Sequence, residues 1–150
     1  MAKSPIRGRI PGPKPPPAGD KGIPTLNAVV IDDSEAARDM LRFLLDGSAI
    51  RIVGEAANAQ AGIELCTRFQ PDILFLDIVM PGMSGTEALV LIRELVPHAK
   101  VVIFTSVSDR QTALRAKEFG AADYILKPFD RDYLKKRIEV LYKKILKERL

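Results

Sequence analysis

Cysteine is nearly absent from this 150-residue chain: Cys66 stands alone, so no intrachain disulfide can form and no cysteine cluster can hold a metal. Histidine is as scarce. His98, in "LVPHAK", has no second imidazole with which to build a zinc site or a proton relay, and it reads as a solvated loop residue. Tryptophan is missing and aromatics make up 6% of residues, so basic stretches lack the interleaved rings of a nucleic-acid surface. No apolar run approaches the roughly 20 residues of a membrane span. The opening "MAKSPIRGRIPG" has no apolar centre of the kind a secretion signal needs. These absences point to the cytoplasm, a reducing compartment, without membrane insertion.

Proline and positive charge are plentiful, but only at one end. Residues 1–26 hold seven of the eleven prolines, five of them in "PGPKPPP", and five basic side chains against one acidic. The rest of the chain carries 18 basic and 18 acidic residues, so the net charge of +4 belongs to the N-terminal stretch. Such a stretch has too few apolar groups to offset the entropy of ordering. Residues 1–25 are therefore predicted to be a disordered, proline-rich basic tail, and residues 26–150 one domain. A docking arm and a solvated leader are both compatible with the tail, and composition favours the leader.

From Leu26 onward, short apolar runs alternate with helix-length segments. The runs are "AVVI" at 28–31, "IRIV" at 50–53, "ILFL" at 73–76, "VVIF" at 101–104 and "YIL" at 124–126. Mostly continuous apolarity marks strands covered on both faces, and the repeating βα unit marks an α/β fold. Ser34, Asn58 and Asp130 are placed to cap helices, "SDRQ" at 108–111 is a capping-box pattern, and Gly120 is a stop signal. The helical stripes are Ala37, Leu41, Leu44 and Leu45; Gly62, Ile63, Cys66 and Phe69; Ala88, Leu91, Ile92 and Leu95; and Leu134, Ile138, Leu141 and Ile145. Cys66 thus has a packing role.

Five units are too few for an eight-unit barrel, which leaves a doubly wound parallel sheet. In the order 2-1-3-4-5, strands one and three are neighbours where the winding reverses, and ligands bind at the carboxyl ends there. Asp32 and Asp33 follow strand one, and Asp77 follows strand three in "ILFLDIVMPGMSG". Three carboxylates in one crevice repel strongly without a cation, and hard oxygen ligands at an open site suit Mg²⁺. Thr105 after strand four and Lys127 after strand five add a hydroxyl and an ammonium, an electrophilic cradle for a phosphoryl group. Asp77 is the natural nucleophile, giving an aspartyl phosphate.

With the "DD" after strand one, "LDIVMPGMSG", the "TS" after strand four and the "KP" after strand five, residues 26–147 resemble the receiver domain of two-component response regulators. The resemblance is read as one to stand-alone, chemotaxis-type members. The resemblance implies a flavodoxin-like fold. It also implies that Asp77 accepts phosphoryl from a histidine kinase or phosphotransfer protein. Asp33, Asp77 and the backbone carbonyl of Val79 would bind Mg²⁺, with Asp32 acting through a metal-bound water. Thr105 and Lys127 would contact the phosphoryl oxygens, and the bond before Pro128 would be cis. Such a chain is a phosphoacceptor signalling protein that catalyses only its own modification.

A switch follows from the same resemblance: the Thr105 hydroxyl moves inward, Tyr124 rotates, and a downstream protein target reads helix four, strand five and helix five. Val79 and Val107 cannot hydrogen-bond an attacking water, which predicts slow self-dephosphorylation. The last segment, "RDYLKKRIEVLYKKILKERL", carries eight basic and three acidic residues; it reads as a packed helix with a basic outer face, or as a dimerisation element. The expectation is a monomer or a phosphorylation-dependent dimer, without nucleic acid. A Mg²⁺-dependent phosphohydrolase would need an acid where Val79 stands, and a flavin phosphate would be repelled by "DDSEAA". A phosphorelay intermediate, or a receiver cut from a longer regulator, would share the site.

Overall fold

Strand β1, Leu26–Ile31, is apolar on both faces because both faces are covered: of its six residues only Asn27 is not buried. The computed structural model describes residues 23–149, so the tail reading for residues 1–22 lies outside the described residues. Of the remaining tail positions, Pro24 offers its carbonyl to the Tyr142 hydroxyl at 2.5 Å. After β1 come α1 (Glu35–Leu45), β2 (Ile50–Ala56), α2 (Ala59–Phe69), β3 (Ile73–Leu76) and α3 (Gly85–Leu95). The chain continues through β4 (Lys100–Thr105), α4 (Arg110–Glu118), β5 (Asp123–Leu126) and α5 (Arg131–Glu148).

All strand pairs are parallel and the order is β2-β1-β3-β4-β5, as expected. β2 runs three residues further than its apolar run, through Gly54, Glu55 and Ala56. Its register against β1 slips by one between Ala28 and Val29, which lets Glu55 stand beside Val30. One core lies between the sheet and α2, α3 and α4, around Ile31, Cys66, Leu76, Leu89 and Ile103. The other lies between the sheet and α1 and α5, around Leu41, Phe75, Phe104, Leu134 and Ile138. Phe104 bridges Phe75 and Phe129 with edge contacts at 6.4 and 4.6 Å. Burying each such side chain contributes roughly 1.5–3 kcal/mol.

Three caps fall where the sequence put them. Ser34, Asn58 and Asp130 accept from the backbone N–H groups of Ala37, Ala61 and Tyr133. The α4 cap is one residue later than the "SDRQ" pattern predicts: Asp109, not Ser108, accepts from Thr112, and it takes the Thr112 hydroxyl as well. The cap settles at Asp109 because its carboxylate is bonded by both the backbone N–H and the hydroxyl of Thr112. The α3 stripe is also corrected. Ala88, Leu89, Ile92 and Val96 are buried, while Leu91 and Leu95 are exposed, because the run "ALVLI" offers two apolar faces and periodicity alone cannot choose between them. All four α5 positions are buried as expected. The last turns of α5 fold onto the domain itself, through Lys100 to Glu148 at 3.0 Å, an Arg149 to Asp72 ion pair and buried Ile145.

Candidate functional site

Four strand ends meet at the carboxyl edge of the sheet. β1 ends at Ile31 and delivers Asp32, and the neighbouring β3 ends at Leu76 and delivers Asp77. Both acids are buried, at 1% and 6% exposure, and both are fixed by the backbone that follows them. The Ser34 N–H donates to Asp32 Oδ1 at 2.9 Å, and the Val79 N–H donates to Asp77 Oδ1 at 3.1 Å. Asp33 is exposed, yet one oxygen from each of Asp32, Asp33 and Asp77 lies within 4.8 Å of the others. The convergence expected from strand order is therefore present.

Lys127 comes to the same point from the end of β5, two strands away from β3. Its Nζ donates to Asp32 Oδ2 at 2.6 Å and to Asp77 Oδ2 at 3.2 Å, and it stands 5.4 Å from the centre of the Phe104 ring. Burial pulls the ammonium toward neutrality, but the Asp32 hydrogen bond and the charges of Asp77 and Asp32 outweigh it, so its pKa lies above the usual lysine value. The Lys127–Pro128 bond is cis, as anticipated. The ammonium offsets one of three carboxylate charges.

Thr105 is fully buried at the end of β4, and its Oγ1 accepts from the Val107 N–H at 3.3 Å; among the described residues it makes no hydrogen bond to the acids. Val107 is also joined to Tyr124, whose hydroxyl donates to the Val107 carbonyl at 2.7 Å. Burial, then the charges of Asp109 and Asp77, raise the pKa of that phenol. Thr105 and Tyr124 are thus linked through one loop residue. Val79 is 54% exposed beside the acids.

Two contributors were not read from the sequence. Gly85 opens α3 against the loop that carries Asp77: a Cβ there would lie 2.4 Å from the Asp77 carbonyl oxygen and 2.4 Å from Ile78 Cα. Arg38 reaches back from α1 to the Asp32 carbonyl, its Nη1 donating at 2.6 Å. The "GMSG" stretch hinted at the first; nothing in the local pattern singles out the second.

The donor set fits a hard divalent cation. Three carboxylate oxygens are gathered, one acid faces solvent where waters can complete a shell, and Lys127 is the one ammonium bonded to them among the described residues.

A doubly wound sheet in this order, with an acidic triad and a lysine at its carboxyl edge, defines a receiver domain. The response regulator receiver domain model matches residues 28–139, and the chain belongs to that family. The transcriptional regulatory protein BtsR of Escherichia coli is 40% identical over 114 residues, covering 75% of this chain and 46% of that protein. The chemotaxis protein CheY of Thermotoga maritima is 32% identical over 101 residues, covering 67% and 84%. Among solved structures, the CheX-CheY-BeF3-Mg+2 complex from Borrelia burgdorferi matches with a TM-score of 0.76 and 28% identity, over 82% of this chain and 92% of that one. The chain spans about half the length of the first curated relatives it matches, 46–49%. Receiver domains are signalling proteins that bind Mg²⁺ at an acidic pocket. No helix among the described residues is long and apolar enough to cross a membrane.

Proposed function

We propose that this chain is a phosphoacceptor: an Asp77 carboxylate oxygen attacks phosphorus, and the P–N bond of a phosphohistidine on a sensor kinase or phosphotransfer protein breaks. The supporting observation is the meeting of Asp32, Asp77 and Lys127 from three strand ends, with the lysine bonded to both acids at 2.6 and 3.2 Å. Asp33, Asp77 and the Val79 carbonyl would hold Mg²⁺, with Asp32 acting through a water. The ion would neutralise charge on the phosphoryl oxygens and on the acids. Lys127 orients the acceptor carboxylate and holds a positive charge against the incoming group, and Thr105, at the end of β4, supplies a hydroxyl.

The output is read on α4, β5 and α5, through Thr105 and Tyr124. The test is uptake from a small-molecule phosphodonor such as phosphoramidate. Alkali- and hydroxylamine-labile, Mg²⁺-dependent label on the unaltered chain, and none on Asp77→Asn, is the expected result; label on Asp77→Asn refutes the assignment. Binding of beryllofluoride with Mg²⁺ gives an independent reading of the same site.

Two placements of this chemistry are open. One is a stand-alone, chemotaxis-type relay in the cytoplasm. The other is the receiver of a longer regulator, favoured by the half-length match to relatives such as BtsR. In either, residues 26–150 form the receiver unit, preceded by the proline-rich stretch. Sedimentation of the beryllofluoride-activated chain discriminates: dimerisation suits a regulator of paired half-sites, and a monomer suits a relay.

A further inference from the structure

Asp33 is the exposed member of the triad, and among the described residues its carboxylate joins no hydrogen bond or ion pair. With no side-chain partner to hold it, what the fold fixes for Asp33 is the backbone from which its Cα–Cβ bond springs. The carbonyl of Asp32 and the N–H of Asp33 are two ends of one planar peptide unit, so whatever fixes the first fixes the second. Asp32 itself is clamped by its N–H to the Ala56 carbonyl at 3.0 Å and by its carboxylate to Lys127 and Ser34. The remaining freedom is rotation of the 32–33 peptide, and Arg38 holds it.

The guanidinium is built for this. Nη1 donates to the Asp32 carbonyl at 2.6 Å, while Nε faces Glu55 Oε1 at 3.3 Å, so the fork is braced between α1, β2 and the acidic loop. Glu55 is held in turn by Arg42 through bonds of 2.8 and 2.9 Å, and Arg42 also pairs with Asp39. The Arg38 side chain is 17% exposed, so little of this bracing is lost to solvent.

We propose that Arg38 is a positioning residue of the acidic site: by holding the Asp32 carbonyl it sets the 32–33 peptide plane, and with it the direction in which Asp33 presents its carboxylate to a divalent cation. This rests on the Mg²⁺ reading above. The sign of the effect separates positioning from charge. A cation beside three carboxylates competes with a metal, so by Coulomb's law alone its removal tightens Mg²⁺ binding. Positioning demands the reverse.

The experiment is calorimetric titration of Mg²⁺ into the full chain, repeated on Arg38→Met, Arg38→Lys and Arg42→Met, with the Asp33 amide resonance followed in parallel. Arg38→Met weakens binding about tenfold, the low end for residues that orient metal ligands, and shifts the Asp33 amide before any metal is added. Arg38→Lys keeps the charge but loses the fork, so it weakens binding too, and it remains informative where the methionine variant fails to fold. Arg42→Met loosens the far end of the network, and its affinity stays within about twofold, the scale of an exposed ion pair. Unchanged or tighter binding in both Arg38 variants overturns the proposal, as does equal weakening by Arg42→Met. Absence of Mg²⁺ binding by the unaltered chain overturns the metal reading itself, and this inference with it.

Discussion

Lys127 ties three strand ends together, and its environment explains why a lysine is needed there rather than any cation. A single ammonium on a flexible stem can contact two carboxylates at once and lie against the Phe104 ring. Its neighbours were legible because each acid or base directly follows an apolar strand. Val79, two residues past Asp77, is exposed and apolar, and its side chain has no group to orient a water for attack on the proposed acyl phosphate. Val79→Asn is therefore expected to speed decay of the phosphorylated chain about tenfold, equivalent to ~1.4 kcal/mol of barrier; an unmoved rate refutes water positioning as the brake. Cys66 shows the opposite kind of residue, inert by burial. Desolvation pushes its thiol from 9.0 up to about 12. The folded chain keeps a proton that the unfolded chain releases, so this contribution is whole below pH 9 and drains away between pH 9 and 12. Urea unfolding of Cys66→Val is expected to lose about 2 kcal/mol less than the unaltered chain between about pH 9 and 10.5. Parallel declines would refute it.

Among the elements, α3 and α4 carry the constraints that periodicity could not reveal. Gly85 is required because backbone, not a movable side chain, occupies the space where a Cβ would go. Gly85→Ala is expected to destabilise by about 1–3 kcal/mol in urea titration and to shift the Asp77 amide, since α3 and the acceptor loop cannot both stay in place. A close approach of two backbones leaves little mark on local pattern, and "GMSG" entered the sequence reading only as part of the acceptor motif. The misassigned face of α3 has a related cause: Leu89 and Leu91 are equally apolar, and packing against the sheet chose the first. α4 buries only Ala116 among its nine residues, so its cap carries much of its stability. Asp109→Ala should loosen α4 and raise amide exchange along it before it affects α3. Tyr124 is hydrogen-bonded through its hydroxyl to Val107, in the loop that precedes α4. If Tyr124→Phe left target affinity unchanged with and without beryllofluoride, that bond would have no part in the switch.

At the scale of the whole molecule, the fold was readable because a doubly wound sheet repeats one unit, and each unit's strand is apolar throughout. The site followed from the same logic: once the order β2-β1-β3-β4-β5 is set, residues 32, 77 and 127 have nowhere else to go. Arg38 and Glu55 escaped because their meeting depends on the one-residue slip of β2 against β1, a property of the pair rather than of either strand. The fold holds a set of like charges that it would be more stable without. Three carboxylates share oxygens within 4.8 Å against one bonded ammonium. Asp33 is the one to remove, because Asp32 and Asp77 are paired with Lys127 while Asp33, exposed, adds mainly repulsion. At that separation and exposure the repulsion is worth about 1 kcal/mol. Asp33→Asn is therefore expected to raise unfolding free energy by that amount in metal-free, low-salt buffer. Saturating Mg²⁺ should reverse the order, because the unaltered chain gains the free energy of a bound ion and the variant gains less. Paired thermal melts with chelator and with Mg²⁺ measure both signs, and a variant no more stable than the parent in chelator would show that the acids are not in conflict.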